Sequence, residues 1–485
     1  HVGNLRTFLL ADLIRRATLY HGLEVLHVKN ITDVGHMRDE RLDQGGDRIL
    51  VQAELEGRSP AEIADFYERA FHADEALVNI LPAHRFPRAT EHIDEMVALA
   101  ERLEDAGLAY RSADGTVYFE VARWPGYGRL SGNTRDELRA GHRVEVEAGK
   151  RDPADFALWK HAESGRLMRW PTRRWGDGFP GWHLECSAMS MRYLGETFEL
   201  HTGGVDNIFP HHEDEIAQSA GATGSVPARL WVHGAHVLMR GQKMAKSAGN
   251  IQRVADLPGA GIDPLAFRLL ILTSRYRHRL EYSEASIRAA AAGLDSLRAR
   301  MRSLGPPPAE GPWSAPPALR ARPAGDRPKG PATHAAGHGS DDVEPFAMGD
   351  RAHAPVAPLS SDGRALHERF VAAIDDDLDL PRALGVVRQT LRADLDPDER
   401  RWLVLDADLV CGLDLDRVWE PDAVPDEPLP DAVMRSLRER ADARARRDFA
   451  RADALRAELL EVGVEPIDGP EGSARWRRAR PHRAD

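Results

Sequence analysis

The chain has 485 residues, a formal net charge of −12, 42% hydrophobic and 29% charged residues. That is too long for one ordinary core and implies roughly two to four domains, while the acidic balance argues against general adhesion to nucleic acid without excluding a local basic face. No apolar run reaches the roughly 20 residues a bilayer-spanning helix needs, and two cysteines, Cys186 and Cys411, cannot build a disulfide framework and fit a reducing cytoplasm.

The opening stretch "HVGNLRTFLLADLIRR" predicts a turn followed by a helix over 4–20. Gly3 permits the turn, Asn4 is a candidate cap, and Leu5, Leu9 and Leu13 recur every fourth residue. A histidine and a glycine ahead of a helix N-terminus suit phosphate binding, because unpaired N–H groups and the helix dipole point there. An ordinary capped helix with a surface His1 fits the same residues. "EVLHVKNIT" follows as a strand ending at a polar "TDVGH", and the βα alternation of this region points to an α/β fold with a parallel sheet and ligands at the carboxyl ends of its strands. Amphipathic helices come next in "EIADFYERAFHADEALVNIL" and "EHIDEMVALAERLEDAGL". From 109 to 165 the texture changes to hairpins and turns, an insertion between two halves (1–108 and 166–261) of the α/β domain. "RLWVHGAHVLMRGQKMAKS" has the rhythm of a hairpin ending in an exposed loop. Residues 262–425 read as helical, interrupted at 305–363 by a segment that holds 12 of the chain's 32 prolines and is expected to be a disordered linker. A small C-terminal unit, 426–485, combines an Arg-studded helix with a glycine-rich turn or hairpin. Its 434–485 portion carries 13 Arg against 10 acidic residues.

Two patterns carry chemistry. In "PGWHLECSAMSMRYLGETFELHTGGVDNIFPHHEDEIAQSAG", His211 and Glu215 stand at i, i+4, and a helix starting at Pro210 puts both on one face. With Cys186 they offer a soft thiolate, an imidazole and a carboxylate, a donor set suited to Zn²⁺ with a fourth position open. Spacing leaves His212 as an alternative ligand. It also leaves Cys186 as a buried small hydrophobe and the acidic run as an ordinary helix start. Trp182 is either a core aromatic or a flat wall over a ligand, and "HTGGVD" (His201 to Asp206) is a glycine turn that lets backbone approach a nucleotide. Only six lysines occur among 65 basic residues, and two of them, Lys243 and Lys246, share the pentapeptide "KMAKS". That placement favours the compact, mobile ammonium as a polyphosphate clamp, with a solvated basic loop as the plain alternative.

In order and spacing these segments resemble the class I cysteinyl-tRNA synthetases. "HVGN" stands where that family has its HIGH motif and "KMAKS" where it has KMSKS. "PGWHLECSAMS" with "HTGGVDNIFPHHEDEIAQS" resembles the family's zinc and cysteine pocket, and "RADALRAELLEVGVEPIDGPEGSARWRR" its anticodon-binding end. The resemblance implies a Rossmann-like catalytic domain with an insertion, a helical bundle and a C-terminal anticodon-binding unit. It implies ATP-dependent activation of L-cysteine to cysteinyl-adenylate and transfer to the 3′ end of tRNA(Cys), by a cytoplasmic monomer that uses one Zn²⁺ and ATP with Mg²⁺. By position, His1, Asn4, Lys243 and Lys246 are catalytic. His1, Gly3, Asn4, His201, Gly203, Gly204, Asp206, Lys243 and Lys246 bind ATP, and Trp182 walls the cysteine side chain. Cys186, His211 and Glu215 hold the zinc, and Arg444, Asp453 and Asp468 meet the anticodon. A zinc that takes the substrate sulfur directly separates cysteine from serine by bond type, which a pocket separates poorly by shape. The family places a strand and a Cys-Gly turn before its first motif, that cysteine being a further ligand. A chain starting at His1 is therefore expected to be truncated at its N-terminus, with the first strand missing and Cys411 no substitute. Asn4 and Ala245 depart from the family motifs. The rival readings are a cysteine:amino-sugar ligase of the same superfamily, which needs no anticodon unit, and a non-catalytic paralogue that binds tRNA or metal.

Overall fold

The computed structural model describes residues 1–34, 37–39, 44–133, 149–244, 252–316, 319, 357–420 and 431–446, and in the C-terminal stretch 448, 451–452, 454–455, 458–459, 464–467 and 475–478. The first helix, Val2–Tyr20, starts two residues earlier than expected. His1 caps it, its Nδ1 accepting from the N–H groups of Gly3 (3.1 Å) and Asn4 (3.4 Å). Asn4, the expected cap, therefore lies inside the first turn with its side chain in solvent. Leu5, Leu9 and Leu13 are buried, as their spacing requires.

This helix packs on a parallel pair, Phe198–Gly204 with Ala228–Gly234, whose register sets His201 beside Trp231 and Gly203 beside His233. The crossover between the two strands carries the helix Glu213–Thr223, the connection a parallel pair demands. The strand expected over 24–32 is reduced to two isolated parallel bridges, Val28 with Arg85 and Ile31 with Arg88. The N–H of Ile31 donates to the carbonyl of Pro87 at 2.8 Å and the carbonyl of Ile31 accepts from the N–H of Ala89 at 3.1 Å, but Pro87 has no N–H for the ladder position between the two bridges. The expected hairpin forms at Val237–Met239 and Gln242–Lys243, closed by Arg240 and Gly241 at φ of 54° and 72°, a two-residue turn that favours glycine. Ala228–Gly234, ahead of it, belongs to the parallel pair.

The insertion is a five-stranded antiparallel sheet in the order Ala109–Arg111, Val117–Phe119, Phe156–His161, Gly176–Pro180, Trp170–Thr172. It runs past residue 165, because Gly176–Pro180 pairs with Phe156–His161 and Trp170–Thr172 pairs with Gly176–Pro180. Further on, the helices Leu265–Leu272, Glu284–Ser303, Ser361–Asp375, Leu380–Thr390 and Pro397–Cys411 share one apolar core with the first helix. The segment expected as a linker over 305–363 is anchored at both ends. Trp313, Ala357 and Leu359 pack with Trp402 and Leu403, Leu319 packs against Leu19 and Leu81, and a helix begins at Ser361. Aromatic and leucine side chains among the prolines supply the apolar surface that composition alone hid. The C-terminal end holds the helix Asp431–Ala445 and an antiparallel hairpin, Val464–Ile467 with Arg475–Arg478. Among the described residues no helix is long and apolar enough to cross a membrane.

One polar node joins the first helix to the helical region. The Asp12 carboxylate takes Arg16 Nε at 2.8 Å, Arg268 Nη2 at 2.7 Å and the Leu81 N–H at 2.8 Å, with all three side chains lacking exposure. The two guanidiniums also donate to the carbonyls of Val78, Asn79, Leu409 and Cys411. Burial alone would raise the Asp12 carboxyl, but Arg16, Arg268 and the Leu81 amide outweigh it and hold the group down at about 2, against an ordinary 3.8. A depressed acid stabilises the fold above its unfolded value, so this contribution is complete above about pH 4 and is lost as pH falls through about 2. Asp12→Ala leaves two buried cations without their anion and is expected to cost about 3–5 kcal/mol in urea unfolding at pH 7. A loss under about 1 kcal/mol would mean that the node is solvated.

Candidate active site

The helix Trp182–Leu194 and the helix Glu213–Thr223 face each other, and their first turns meet. Cys186, His211 and Glu215 are buried there, with Sγ, an imidazole nitrogen and a carboxylate oxygen all within 4.8 Å of one another. His211 does not lie in a regular helix started by Pro210. Residues Ile208–His212 form a wider π turn with Phe209 extended inside it, and the α-helix begins at Glu213. The i, i+4 pair is nonetheless made, with His211 Nε2 at 3.0 Å from Glu215 Oε1.

The imidazoles of the site are linked ring to ring. His183 Nε2 lies 3.3 Å from Asp214 Oδ2 and its Nδ1 lies 2.9 Å from His211 Nδ1. Burial, and then the His211 charge, push His183 well below its ordinary value. The facing Nδ1 atoms of His183 and His211 share one hydrogen between them, and Asp214 anchors the outer edge of the His183 ring. Trp182 stacks on the His211 ring at 4.0 Å and 24°. His212 belongs to a second group with His201 and Glu215, and its Nδ1 is engaged with His233 Nε2 at 2.8 Å.

All three acidic residues of this turn are buried, which helix-dipole preference alone does not require. Glu213 takes the Ser131 N–H at 2.9 Å, Asp214 takes the Tyr127 hydroxyl, and Glu215 faces His211 and, at 3.6 Å, His201. Burial would raise the Glu215 carboxyl, but His201 and His211 outweigh it and hold it below the usual range. Cys186 is in the opposite position: burial, then the charges of Glu215 and Glu185, push its thiol well above the usual range. A thiolate placed against two carboxylates needs a compensating cation, and soft sulfur with imidazole and carboxylate is a donor set for Zn²⁺. The residues fit a metal. Cys411, by contrast, is deep in the helical core, where burial and then Asp408 push its thiol to about 12.

The residues expected to face phosphate lie at a second edge. The N–H of Val2 donates to the carbonyl of Gln252 at 2.9 Å, and Met244 packs in one core with Val2, so the opening turn lies beside Met244. Arg6 braces this edge from below, donating to the carbonyls of Ala235, His236 and His278 at 2.9, 2.9 and 2.6 Å. Lys243 ends the hairpin strand Gln242–Lys243, and Lys246 lies outside the described residues. His201, expected near adenosine, sits against Glu215 and, 4.8 Å away, Trp231, so it borders the candidate metal cluster. Gly203 and Gly204 close the carboxyl end of their strand, with Asp206 just beyond at 4.0 Å from His236 Nδ1. Gly203 is required there, since a Cβ would stand 2.6 Å from His212 Cε1. Arg444 is on the helix Asp431–Ala445, while Asp453 and Asp468 lie outside the described residues. Sequence reasoning missed His183, His233, Tyr127, Trp231 and Asn30, whose Nδ2 reaches Cys186 Sγ at 3.6 Å. His183 stands at i, i+3 from Cys186 on the helix Trp182–Leu194, a spacing that could have singled it out, while only folding brings the other four to the cluster.

Residues 1–292 match the profile of a protein family described as "tRNA synthetases class I (C) catalytic domain". The chain is similar to a cysteine–tRNA ligase of Chlorobium chlorochromatii, 38% identical over 98% of this chain and 91% of that one. It is also similar to a cysteine–tRNA ligase of Chlorobium luteolum (40%, covering 99% and 92%) and to one of Thermus thermophilus (38%, covering 99% and 92%).

The packing of Gly203 makes a prediction independent of any ligand. Gly203→Ala is expected to displace His212 and lower stability by about 1–3 kcal/mol in thermal unfolding. An unchanged melting curve would show that the strand end has room the structure does not give it.

Proposed function

The chain belongs to the cysteinyl-tRNA synthetases, a class I family, and from that premise we propose how its residues divide the work. The enzyme activates L-cysteine with ATP and charges tRNA with it. The acceptor in this reading is tRNA(Cys), supported by similarity to tRNA ligases that runs over 98–99% of the chain, its C-terminal end included.

Cys186, His211 and Glu215 would hold one Zn²⁺, a reading carried by one observation: a buried sulfur, imidazole and carboxylate with ligand atoms within 4.8 Å. When bound, Zn²⁺ supplies a soft Lewis acid that favours a sulfur donor over the hydroxyl of serine. The residues around it orient the donors. His183, itself anchored by Asp214, holds the His211 ring in orientation, and Trp182, stacked on that ring, screens the site from water. ATP, with Mg²⁺, is assigned to the edge formed by His1, Gly3, Asn4, Gly203, Gly204 and Asp206. The N-terminal end of the helix Val2–Tyr20 carries the positive pole of its dipole, which favours phosphate even with its first N–H groups engaged by His1 and Gln252, and a strand ending in two glycines lets a nucleotide come close. Lys243 and Lys246 are assigned to the pyrophosphate, where ammonium groups offset the charge that builds as it leaves. Arg444, Asp453 and Asp468 are assigned to the anticodon.

Two outcomes test the assignment. Cys186→Ser should drop zinc far below stoichiometric on the purified chain and abolish cysteine-dependent ATP–pyrophosphate exchange, while His212→Ala keeps its zinc. Full zinc in the serine variant would remove Cys186 from the site. Lys243→Ala should keep its zinc and lose about 10²–10³-fold in the exchange rate, as removal of one preorganised charge usually does. A loss of zinc in that variant would separate the loop from the role given to it.

A further inference from the structure

We propose that Asn30 is a positioning residue for the metal-binding sulfur: its carboxamide donates one N–H to Cys186 Sγ and tightens the hold of the site on its cation. The inference rests on the reading of Cys186, His211 and Glu215 as metal ligands. Asn30 Nδ2 lies 3.6 Å from Cys186 Sγ and 3.2 Å from Thr32 Oγ1, so its two amide hydrogens meet two acceptors. At 3.6 Å the first is of ordinary length for a donor to sulfur, an atom larger than oxygen.

The donor is held in place by contacts that do not involve the sulfur. On either side of Asn30 the backbone is fixed, Lys29 N–H to the carbonyl of Arg85 at 3.0 Å and Ile31 N–H to that of Pro87 at 2.8 Å. The Lys29 ammonium pairs with buried Glu75 and lies over the rings of Phe8, Phe71 and Phe86, at 5.1, 5.6 and 5.8 Å from their centroids. Three residues on from Asn30, the Asp33 carboxylate takes the N–H and hydroxyl of Thr90 at 2.9 and 2.6 Å. The segment is therefore a rigid strap, and the amide stands ready before any ligand arrives.

On the sulfur, the effect is electrostatic. Glu215 and Glu185 both crowd negative charge onto Cys186, and a neutral N–H opposes that charge without competing for the metal. Hydrogen bonds to ligand sulfurs tune both affinity and electron donation, and losing such a partner typically weakens metal binding 10–100-fold.

The test uses the full chain and zinc alone. Chelator competition is run on the parent, Asn30→Ala and Asn30→Asp, alongside the sulfur-to-metal charge-transfer band of each protein loaded with Co²⁺. The aspartate variant keeps the shape and, when ionised, cannot donate, so it covers the case in which the alanine variant folds poorly. Expected are a 10–100-fold weaker zinc affinity in both variants, a band moved to lower energy, and a larger rise in KM for cysteine than fall in kcat. Zinc affinity within about twofold of the parent and an unmoved band in a folded variant would overturn the role of Asn30. A parent that takes up neither zinc nor Co²⁺ would overturn the metal reading, and this inference with it.

Discussion

Two guanidiniums without exposed surface, Arg16 and Arg268, share the Asp12 carboxylate, and the placement of the opening helix follows from that ion cluster. Buried charges are tolerable only when paired and fully hydrogen-bonded. The arginines answer most of that demand by reaching the carbonyls of Asn79, Leu409 and Cys411, which belong to other parts of the chain, while Arg268 Nη2 has only its ion pair with Asp12. Their positive charge also suits the C-terminal end of the helix Pro397–Cys411, where carbonyls lack helical partners. The first helix is thereby fixed in depth and rotation against the helical region. Its front end, held by Val2 to Gln252, then presents the His1–Asn4 turn beside Met244. A core of leucines would keep the helix buried but would tolerate a slip along its axis; a three-way ion cluster does not.

The cysteine site obeys the same rule with the opposite sign. Glu213, Asp214 and Glu215 occupy one helical turn without solvent, and each has its own partner: an amide, a tyrosine hydroxyl with a histidine, and two histidines. Adding the Cys186 sulfur leaves the cluster rich in donors of electron pairs, which is the local chemistry that a soft cation completes. The glycines of the neighbouring strand keep side chains out of the space between His212 and the strand end. In the proposed assignment, recognition of sulfur and approach of the nucleotide would meet on one strand, Phe198–Gly204, with His201 on its one side and Gly203 and Gly204 at its tip.

The sequence was legible where physics is local. The spacing of Leu5, Leu9 and Leu13, the helices at Pro60–Leu77 and Ile93–Asp105, and the pairing of His211 with Glu215 depend on periodicity that a helix dictates. The family resemblance extended that reach to function, because the order of several weak motifs over hundreds of residues is far more specific than any one of them. What stayed illegible depends on approach between distant segments. Tyr127 reaches Asp214 across the insertion, His233 meets His212 through the parallel register, and Asn30 meets Cys186 only once its strap is pinned. The strand expected at 24–32 is interrupted between its two bridges, where Pro87 of its partner offers no N–H, and the cap expected at Asn4 was supplied by His1. The prolines at 305–363 suggested a segment with nothing to bury, yet Trp313 and Leu319 at one end and Leu359 at the other join apolar clusters.

The central claim is that a cation held by Cys186, His211 and Glu215 reads the sulfur of the substrate. X-ray absorption at the zinc edge of the full chain, with L-cysteine, with L-serine and with neither, tests it most directly. The account predicts one sulfur among the ligands of the resting site, a second on addition of cysteine, and no change with serine. A sulfur count that stays constant when cysteine is bound, or one that changes equally with serine, would contradict it.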